Sequence, residues 1–283
     1  MPDDTTRAPD LPDPVRLAEL RRRIDVIDAE MHRLLVERSS VIDALIGAKG
    51  SALSAGAFRP AREADMMRRI VARHAGSLPL ATVEHIWREI IATFTSLQAP
   101  YRAHVAGLAA PGGEMRDLAR FVFGFGVPLV AAADGTAAVA AVVADPRDLA
   151  LVPLAGTVAA PWWHGLSGAG ARIMARLPFL VVDGRPAATP AVVISAAVAD
   201  EGAPEIACFA ATFPGGLDYR LVGDHGFEVL SATASPRPAA LLVRPGDGET
   251  AALLLVKLGA TEINPCGGYA EPIRVGVSSE VRP

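Results

Sequence analysis

Apolar residues in the first third of the chain recur at steps of three and four positions, which is the spacing of one face of an amphipathic helix. The series consists of Leu17, Leu20, Ile24, Ile27, Met31, Leu34 and Leu35. No glycine or proline interrupts residues 15–46, so the pattern predicts one long helix. From Val15 to Lys49 this helix would measure about 50 Å. A helix of that length implies packing along its side against another helix or another chain.

Two shorter helices are predicted next. The segment from Arg59 to Glu63 places a proline in a first helical turn and a carboxylate at the positive end of the helix dipole. This second helix should stop at Gly76, and a third should start near Pro79. Gln98 falls at the edge of the apolar stripe of the third helix. The residues of that stripe, which we expect to be its core face, are Val83, Ile86, Trp87, Ile90, Phe94 and Leu97.

The pattern changes near Pro100. Of the 26 glycines and 23 prolines in the chain, 22 and 16 follow residue 100. Short apolar segments between such turn residues are typical of alternating strands and helices. We therefore predict an all-α N-terminal domain over residues 15–100 and an α/β or α+β C-terminal domain over residues 101–283. Residues 1–14, with four prolines and four aspartates, are predicted to be a disordered tail.

Within the C-terminal domain, residues 105–153 predict a strand, helix, strand, helix and strand in that order. Further strands are predicted at 179–182, 191–195, 205–211, 239–243 and 273–277, with a helix at 250–258. Gly267 and Gly268 are interpreted as a turn that leads into a strand. The aromatic cluster Trp162-Trp163-His164 is interpreted as a packed loop or an interdomain contact.

Composition narrows the class of protein. Hydrophobic residues make up 51% of the 283 residues and charged residues 20%, which suits folded domains. A net charge of −4 argues against a nucleic-acid binder with a dominating basic surface. The two cysteines, Cys208 and Cys266, cannot make a disulfide framework and fit a reducing environment. The expected location is therefore the cytoplasm.

Other classes are also disfavoured. Four aspartates precede the first apolar run, so we expect no signal peptide. The most apolar stretch, Val127 to Val143, is interrupted by Asp134 and Gly135 and is too short for a membrane span. The histidines show no metal-ligand spacing. We expect no metal, no nucleic-acid partner and no membrane association.

Two cations align on the long helix. The chain contains 25 Arg but only two Lys, Lys49 and Lys257. Lys49 follows Arg38 by 11 residues, so the two differ by about 20° in direction and about 16 Å in height. A small anion would fit between their head groups. Alternatively, both side chains extend outward from the edge of the apolar seam into water.

The order and spacing of these features resemble the all-helical chorismate mutases over residues 15–100. The matching motifs are Leu20-Arg21-x-x-Ile24-Asp25-x-Ile27-Asp28, Leu34-Leu35-x-x-Arg38, Lys49, Arg59-Pro60-x-Arg62-Glu63, Arg88-Glu89-Ile90-Ile91 and Leu97-Gln98. The resemblance implies a three-helix protomer in an intertwined homodimer with shared active sites. Spacing supports the dimer, because Arg21 lies about 25 Å from Arg38 along one helix. An antiparallel partner helix could bring the two together.

The resemblance also implies a reaction, the rearrangement of chorismate to prephenate in aromatic amino-acid biosynthesis. That reaction is a unimolecular [3,3] shift that needs no cofactor. The residues that the resemblance assigns to it are Lys49, Gln98 and Glu63 as catalytic groups and Arg21, Arg38 and Arg62 as substrate-binding groups. Two positions depart from the family pattern: Phe94 replaces a small hydroxyl residue found in many relatives, and Arg59 stands near a position that can be acidic.

By the same resemblance, Arg38 and the partner subunit's Arg21 bind the two substrate carboxylates, for which a guanidinium fork is suited. Lys49 and Gln98 donate to the ether oxygen, which gains negative charge as its bond breaks. Glu63 accepts a hydrogen bond from the ring hydroxyl. Arg62 forms a further polar wall or positions Glu63.

The start of the C-terminal domain, residues 105–180, weakly resembles a prephenate dehydratase. The Thr-Arg-Phe and Glu-Asn-Ser signatures of that family are missing, and Leu177-Pro178-Phe179 is the nearest string to the first. Residues after 185 could form a regulatory module of the ACT type. We therefore expect a non-catalytic, regulatory C-terminal domain.

Two other functions stay open at this point. An isochorismate pyruvate lyase of the same helical fold could use the same cationic pocket. A non-enzymatic dimerisation or metabolite-sensing protein could also keep the fold.

Overall fold

The computed structural model describes residues 13–49, 58–166, 170–196, 203–246 and 248–276, with only the backbone described for Lys49. The chain divides into two compact units, residues 1–50 and residues 51–283. The first unit contains one helix of the predicted mutase region, and the second contains its other two helices together with all the strands.

Within the described residues of the first unit lies the helix α1, Pro14–Lys49. Asp13 caps this helix, since its Oδ1 accepts hydrogen bonds from the amides of Val15 at 3.0 Å and Arg16 at 3.3 Å. Arg33 forms ion pairs with Glu30 and Glu37 on the helix surface. Each of the seven residues of the predicted apolar seam is at least 39% exposed. Exposed apolar surface of this extent is typical of a contact surface.

The second unit begins with α2, Pro60–Arg73, and α3, Leu80–Gln98. Pro60 at the start of α2 fits a first-turn position, where its missing amide costs nothing. Met67 and Ile70 of α2 form a small core with Phe179. Helix α3 packs against a fourth helix, α4, Glu114–Phe123. Both α2 and α3 therefore rest on residues that follow position 100.

The first part of the α/β region, which we define as residues 101–276, alternates strands and helices. Strand β1, Ala103–Ala106, is followed by α4, then β2, Leu129–Ala132, then α5, Gly135–Ala144, then β3, Leu149–Pro153. Strands β2 and β3 both pair in parallel with β1, which lies between them. A short strand β4, Thr157–Val158, and a 3₁₀ turn, Trp162–Leu166, come next. Three further strands follow, β5, Ala171–Leu177, β6, Leu180–Val182, and β7, Ala191–Ala196.

The second part is a βαββαβ unit of ferredoxin-like topology. Its elements are β8, Ile206–Thr212, α6, Tyr219–Asp224, β9, Glu228–Thr233, β10, Ala239–Pro245, α7, Gly248–Lys257, and β11, Thr261–Tyr269. Their order in the sheet is β11-β8-β10-β9, with antiparallel neighbours throughout. A last strand β12, Ile273–Val275, pairs with β6 in a separate two-stranded sheet.

One ten-stranded sheet joins both parts, in the order β2-β1-β3-β7-β5-β11-β8-β10-β9-β4. The junction is the parallel pair β5 and β11, where Gly267 lies opposite Ile173. Gly267 has a φ of +117°, and a Cβ at this position would overlap backbone atoms of Ile173. The two parts can therefore approach this closely only with glycine at position 267.

The predicted fold class is confirmed for the described residues: the helices α1, α2 and α3 precede a mixed α/β region. The strand and helix order over 105–153 is also confirmed, as are the later strands and the helix near 250–258. The sequence pattern did not predict β4, β5, β9, β11 or α6. The interpretation of Gly267 and Gly268 as a turn is wrong, because both lie inside β11.

Candidate functional site

The six site residues predicted from the sequence are divided between the two units. Arg21 and Arg38 lie on α1, where Arg21 is exposed and Arg38 is half-buried. Their separation of 17 residues corresponds to about 25 Å along the helix, so they cannot meet on one copy of α1. Lys49 is the last residue of α1, and its side chain lies outside the described residues. Arg62, Glu63 and Gln98 belong to the second unit.

Glu63 lies in the first turn of α2, where its amide donates to the Arg59 carbonyl at 3.0 Å. Its Oε2 atom accepts a hydrogen bond from Nη1 of Arg88 at 3.0 Å. The two side chains are only 16% and 7% exposed, so water screens this ion pair weakly. Arg88 therefore restricts the orientation of the Glu63 carboxylate.

Arg88 itself belongs to a buried series of alternating charges. Its Nε lies 3.8 Å from Oε1 of Glu84, one helical turn earlier on α3. Glu84 forms a bidentate ion pair with Arg185, with Nε donating to Oε2 at 2.8 Å and Nη2 donating to Oε1 at 3.0 Å. The side chains of Glu84 and Arg185 are 0% and 2% exposed. We call Glu63, Arg88, Glu84 and Arg185 the buried charge network; its formal charges sum to zero.

Arg185 is also held by contacts with its own loop and with α4. It lies in the loop between β6 and β7, and its Nη1 donates to the carbonyls of Pro186 at 3.0 Å and Ala187 at 2.6 Å. Its guanidinium carbon lies 4.2 Å from the centroid of the Phe121 ring on α4. This distance is typical of a cation–π contact. The loop thus holds the guanidinium against both α3 and α4.

The face of α3 that the structure buries differs from the predicted one. The buried residues include the charged Glu84 and Arg88, together with Thr95. Ile86 and Leu97, predicted to be core, are 44% and 60% exposed. The prediction is wrong for these two because each buried charge has an oppositely charged neighbour, so polar positions can face the interior.

The sequence analysis assigned no role to the three other members of this network. Arg88 could have been noticed, because it lies inside a matched motif and four residues after Glu84, a spacing that suits an ion pair on a helix. Arg185 carries no comparable signal, since 101 residues separate it from Glu84.

Gln98 ends α3 and is half-buried. Its Nε2 donates to the carbonyl of Phe94 at 3.0 Å, one turn earlier. Phe94 is itself buried. Arg62 is exposed on α2. Near Glu63, burial raises the pKa of Tyr101, and the negative charge of Glu63 raises it further.

The described cavities do not coincide with a complete site in the second unit. A cavity of about 30 Å³ lies beside Glu63 and Arg88. A cavity of about 440 Å³ is lined by other residues, among them Arg68, Arg172 and Tyr269. Of these two cavities, the one that Glu63 lines is the smaller.

Within the described ranges, no group of three or more His, Cys, Asp or Glu side chains is arranged to hold a metal ion. No helix among the described segments combines the length and the apolar character needed to cross a membrane.

Comparison with known proteins places the helical residues in a family context. Residues 20–99 match the family model described as Chorismate mutase type II. The resemblance stated from the motifs is thereby confirmed for this segment, which includes all six predicted site residues.

A curated relative, the "Bifunctional chorismate mutase/prephenate dehydratase" of Neisseria gonorrhoeae, is 36% identical over 80 residues. The match covers 28% of this chain and only 21% of that relative. A solved structure titled "GqqA- a novel type of quorum quenching acylases" is similar over 60% of this chain and 94% of its own, with 18% identity and a TM-score of 0.39. That score is too low to support a conclusion about fold or function.

Proposed function

We propose that the protein is a chorismate mutase whose helical residues 15–100 convert chorismate to prephenate. The observation that carries this proposal is the family match over residues 20–99, a range that contains all six predicted catalytic and substrate-binding residues. The activity belongs to aromatic amino-acid biosynthesis and needs no cofactor.

The proposed mechanism follows from the charges of the substrate. Chorismate carries two carboxylates, an ether oxygen and a ring hydroxyl. Two arginines hold the carboxylates and thereby favour the compact conformer in which the reacting carbons meet. Lys49 and Gln98 stabilise the negative charge that develops on the ether oxygen. Glu63 accepts from the ring hydroxyl, and its orientation by Arg88 at 3.0 Å supports that role.

We further propose a homodimer in which the partner subunit's Arg21 completes the site of Arg38. Seven apolar residues of α1 are each at least 39% exposed, which is a surface that a second copy of the helix could cover. Arg21 and Arg38 lie about 25 Å apart along one copy of α1. An antiparallel second copy would bring Arg21 of one chain close to Arg38 of the other, because the start of one helix would lie beside the middle of its partner.

The C-terminal region is proposed to be non-catalytic and regulatory. The βαββαβ topology of residues 206–269 supports a small ligand-binding module of the ACT type. In the part that weakly resembles a dehydratase, Asp134 caps α5 by accepting from the amide of Ala137 at 2.8 Å. Trp162 packs against Gly135 at the same helix end. These residues occupy a helix N-terminus that could otherwise bind an anion.

The test is an assay of the purified full-length chain with chorismate and, separately, with isochorismate and prephenate. We expect prephenate from chorismate, and no phenylpyruvate from prephenate. A folded chain that leaves chorismate unchanged would refute the mutase proposal. Faster release of pyruvate from isochorismate than turnover of chorismate would assign the lyase activity instead. Phenylpyruvate formation would refute the non-catalytic role of the C-terminal region.

A further inference from the structure

We propose that Arg185 of the α/β region is a positioning residue for Glu63, acting through Glu84 and Arg88. The inference rests on the proposed function, because it concerns the group assigned to the ring hydroxyl of chorismate. It gives the C-terminal region a part in the mutase reaction, although no residue of that region is assigned to touch the substrate.

The first step is the competition for Glu84. Both oxygens of this fully buried carboxylate are bonded by Arg185, while Nε of Arg88 lies farther away, at 3.8 Å. Without Arg185, a buried charge would have Arg88 as its adjacent cation. Arg88 would then shift toward Glu84, and its 3.0 Å hydrogen bond to Glu63 would weaken.

The second step is the fixed position of Arg185. Four of its hydrogen bonds are described: two to Glu84 and two to the carbonyls of Pro186 and Ala187. Ala187 adopts a φ of 54°, a left-handed conformation that non-glycine residues rarely adopt. The loop therefore keeps a strained backbone whose carbonyl contacts the guanidinium, and strain of this kind persists only where the surroundings impose it.

A control for Arg185 should remove a similar ion pair between the helices and the α/β region while leaving the buried charge network intact. A second arginine, Arg68 of α2, also links the helices to the α/β region, with hydrogen bonds of 2.8 and 2.6 Å to Glu205. Its guanidinium donates to Glu205 and to the carbonyl of Glu271, which lie outside the buried charge network. Arg68→Met is therefore a matched control for Arg185→Met.

The experiment measures kcat/KM for chorismate in the full-length chain and in three single variants. Arg185→Met should lower kcat/KM by about tenfold to a hundredfold, the range expected when a catalytic group is displaced by up to 1 Å. Arg185→Lys should recover part of the loss, because it restores the charge but not the fork. Arg68→Met should stay within about twofold of the wild type.

The deciding comparison uses Glu63→Ala as background. If Arg185 acts through Glu63, adding Arg185→Met to Glu63→Ala should change kcat/KM by less than about twofold, since the group to be positioned is already gone. An equal loss in both backgrounds would show a merely structural role and overturn the inference. Should Arg185→Met not fold, Arg185→Lys, which keeps the positive charge but loses the bidentate contact with Glu84, is compared in the same two backgrounds.

The outcomes distinguish this inference from the proposed function. An active wild type with an unaffected Arg185→Met variant refutes positioning and leaves the mutase proposal intact. A folded wild type without activity toward chorismate refutes both.

Discussion

The carboxylate of Asp148 accepts a hydrogen bond from the backbone amide of Arg102 at 2.8 Å, and it thereby ties the start of β3 to the segment that connects α3 with β1. The same carboxylate accepts from Nε of Arg102 and contacts Nε2 of His104, both at 2.9 Å. The Asp148 side chain is almost completely buried. It is thus a central polar contact at the junction of the helices and the sheet.

Asp148→Asn should lower the free energy of unfolding by about 1–3 kcal/mol, because a buried charge-assisted set of hydrogen bonds is lost. Burial raises the pKa of Asp148, but the hydrogen bonds from His104 and Arg102 outweigh it and lower the pKa overall. A lowered native pKa means that this stabilisation is present above the ordinary aspartate value of about 3.9 and is lost as the pH falls through the native value.

Urea unfolding of the wild type and Asp148→Asn at a series of pH values checks this expectation. The difference in the free energy of unfolding between the two proteins should be largest at neutral pH and should decrease below about pH 4. Asp145→Asn serves as control, since its partner Arg147 is exposed and the pair should contribute less. If the difference in the free energy of unfolding increased as the pH fell, the stabilising role assigned to the ionised Asp148 carboxylate would be contradicted.

Gly267→Ala should destabilise the sheet more than an ordinary glycine substitution. The new methyl group would overlap the backbone of Ile173 at the junction of β5 and β11. We expect a loss of about 3 kcal/mol or more, or no soluble protein. Gly216→Ala is the control, because φ is +92° but nothing lies within 4 Å of the added atom. It should cost only the backbone strain of about 1–2 kcal/mol. Equal melting temperatures for the two variants would contradict this packing.

The two lysines of the chain offer a paired test of the catalytic assignment. Lys49→Ala should fold normally and lose about 10²–10³ in mutase rate, the effect of removing one donor to developing negative charge. Lys257→Ala changes the charge of the chain equally but lies exposed on α7. Its rate should equal that of the wild type. Near-normal turnover by Lys49→Ala would exclude the role assigned to Lys49.

The sequence predicts the elements whose pattern is local. The steps of three and four over Leu17 to Leu35 and the proline at position 60 suffice for α1 and α2, because helix periodicity and first-turn chemistry act within a few residues. Strand β11 was not predicted, because Pro265, Gly267 and Gly268 all have a low propensity for strands. Its place in the sheet depends instead on close contact with β5, which only the folded chain supplies.

In the candidate site, too, local patterns were predicted from the sequence and long-range contacts were not. Motif spacing identifies Glu63, but not the ion pairs that hold it. Glu84 and Arg88 have the sequence character of exposed helix residues, and Glu84 becomes interior only because Arg185, about a hundred positions later, reaches α3. Long-range charge pairing of this kind has no local pattern. The predicted core face of α3 is accordingly wrong at Ile86 and Leu97, which are exposed.

Subunit mixing tests the shared active site most directly. Arg21→Ala and Arg38→Ala homodimers should each be nearly inactive with chorismate. After verified subunit exchange, an equal mixture should regain about a quarter of wild-type activity, since half of the dimers are mixed and each of these has one site with both arginines. No recovery in verified mixed dimers of an active wild-type protein would contradict a site built from Arg38 of one subunit and Arg21 of the other.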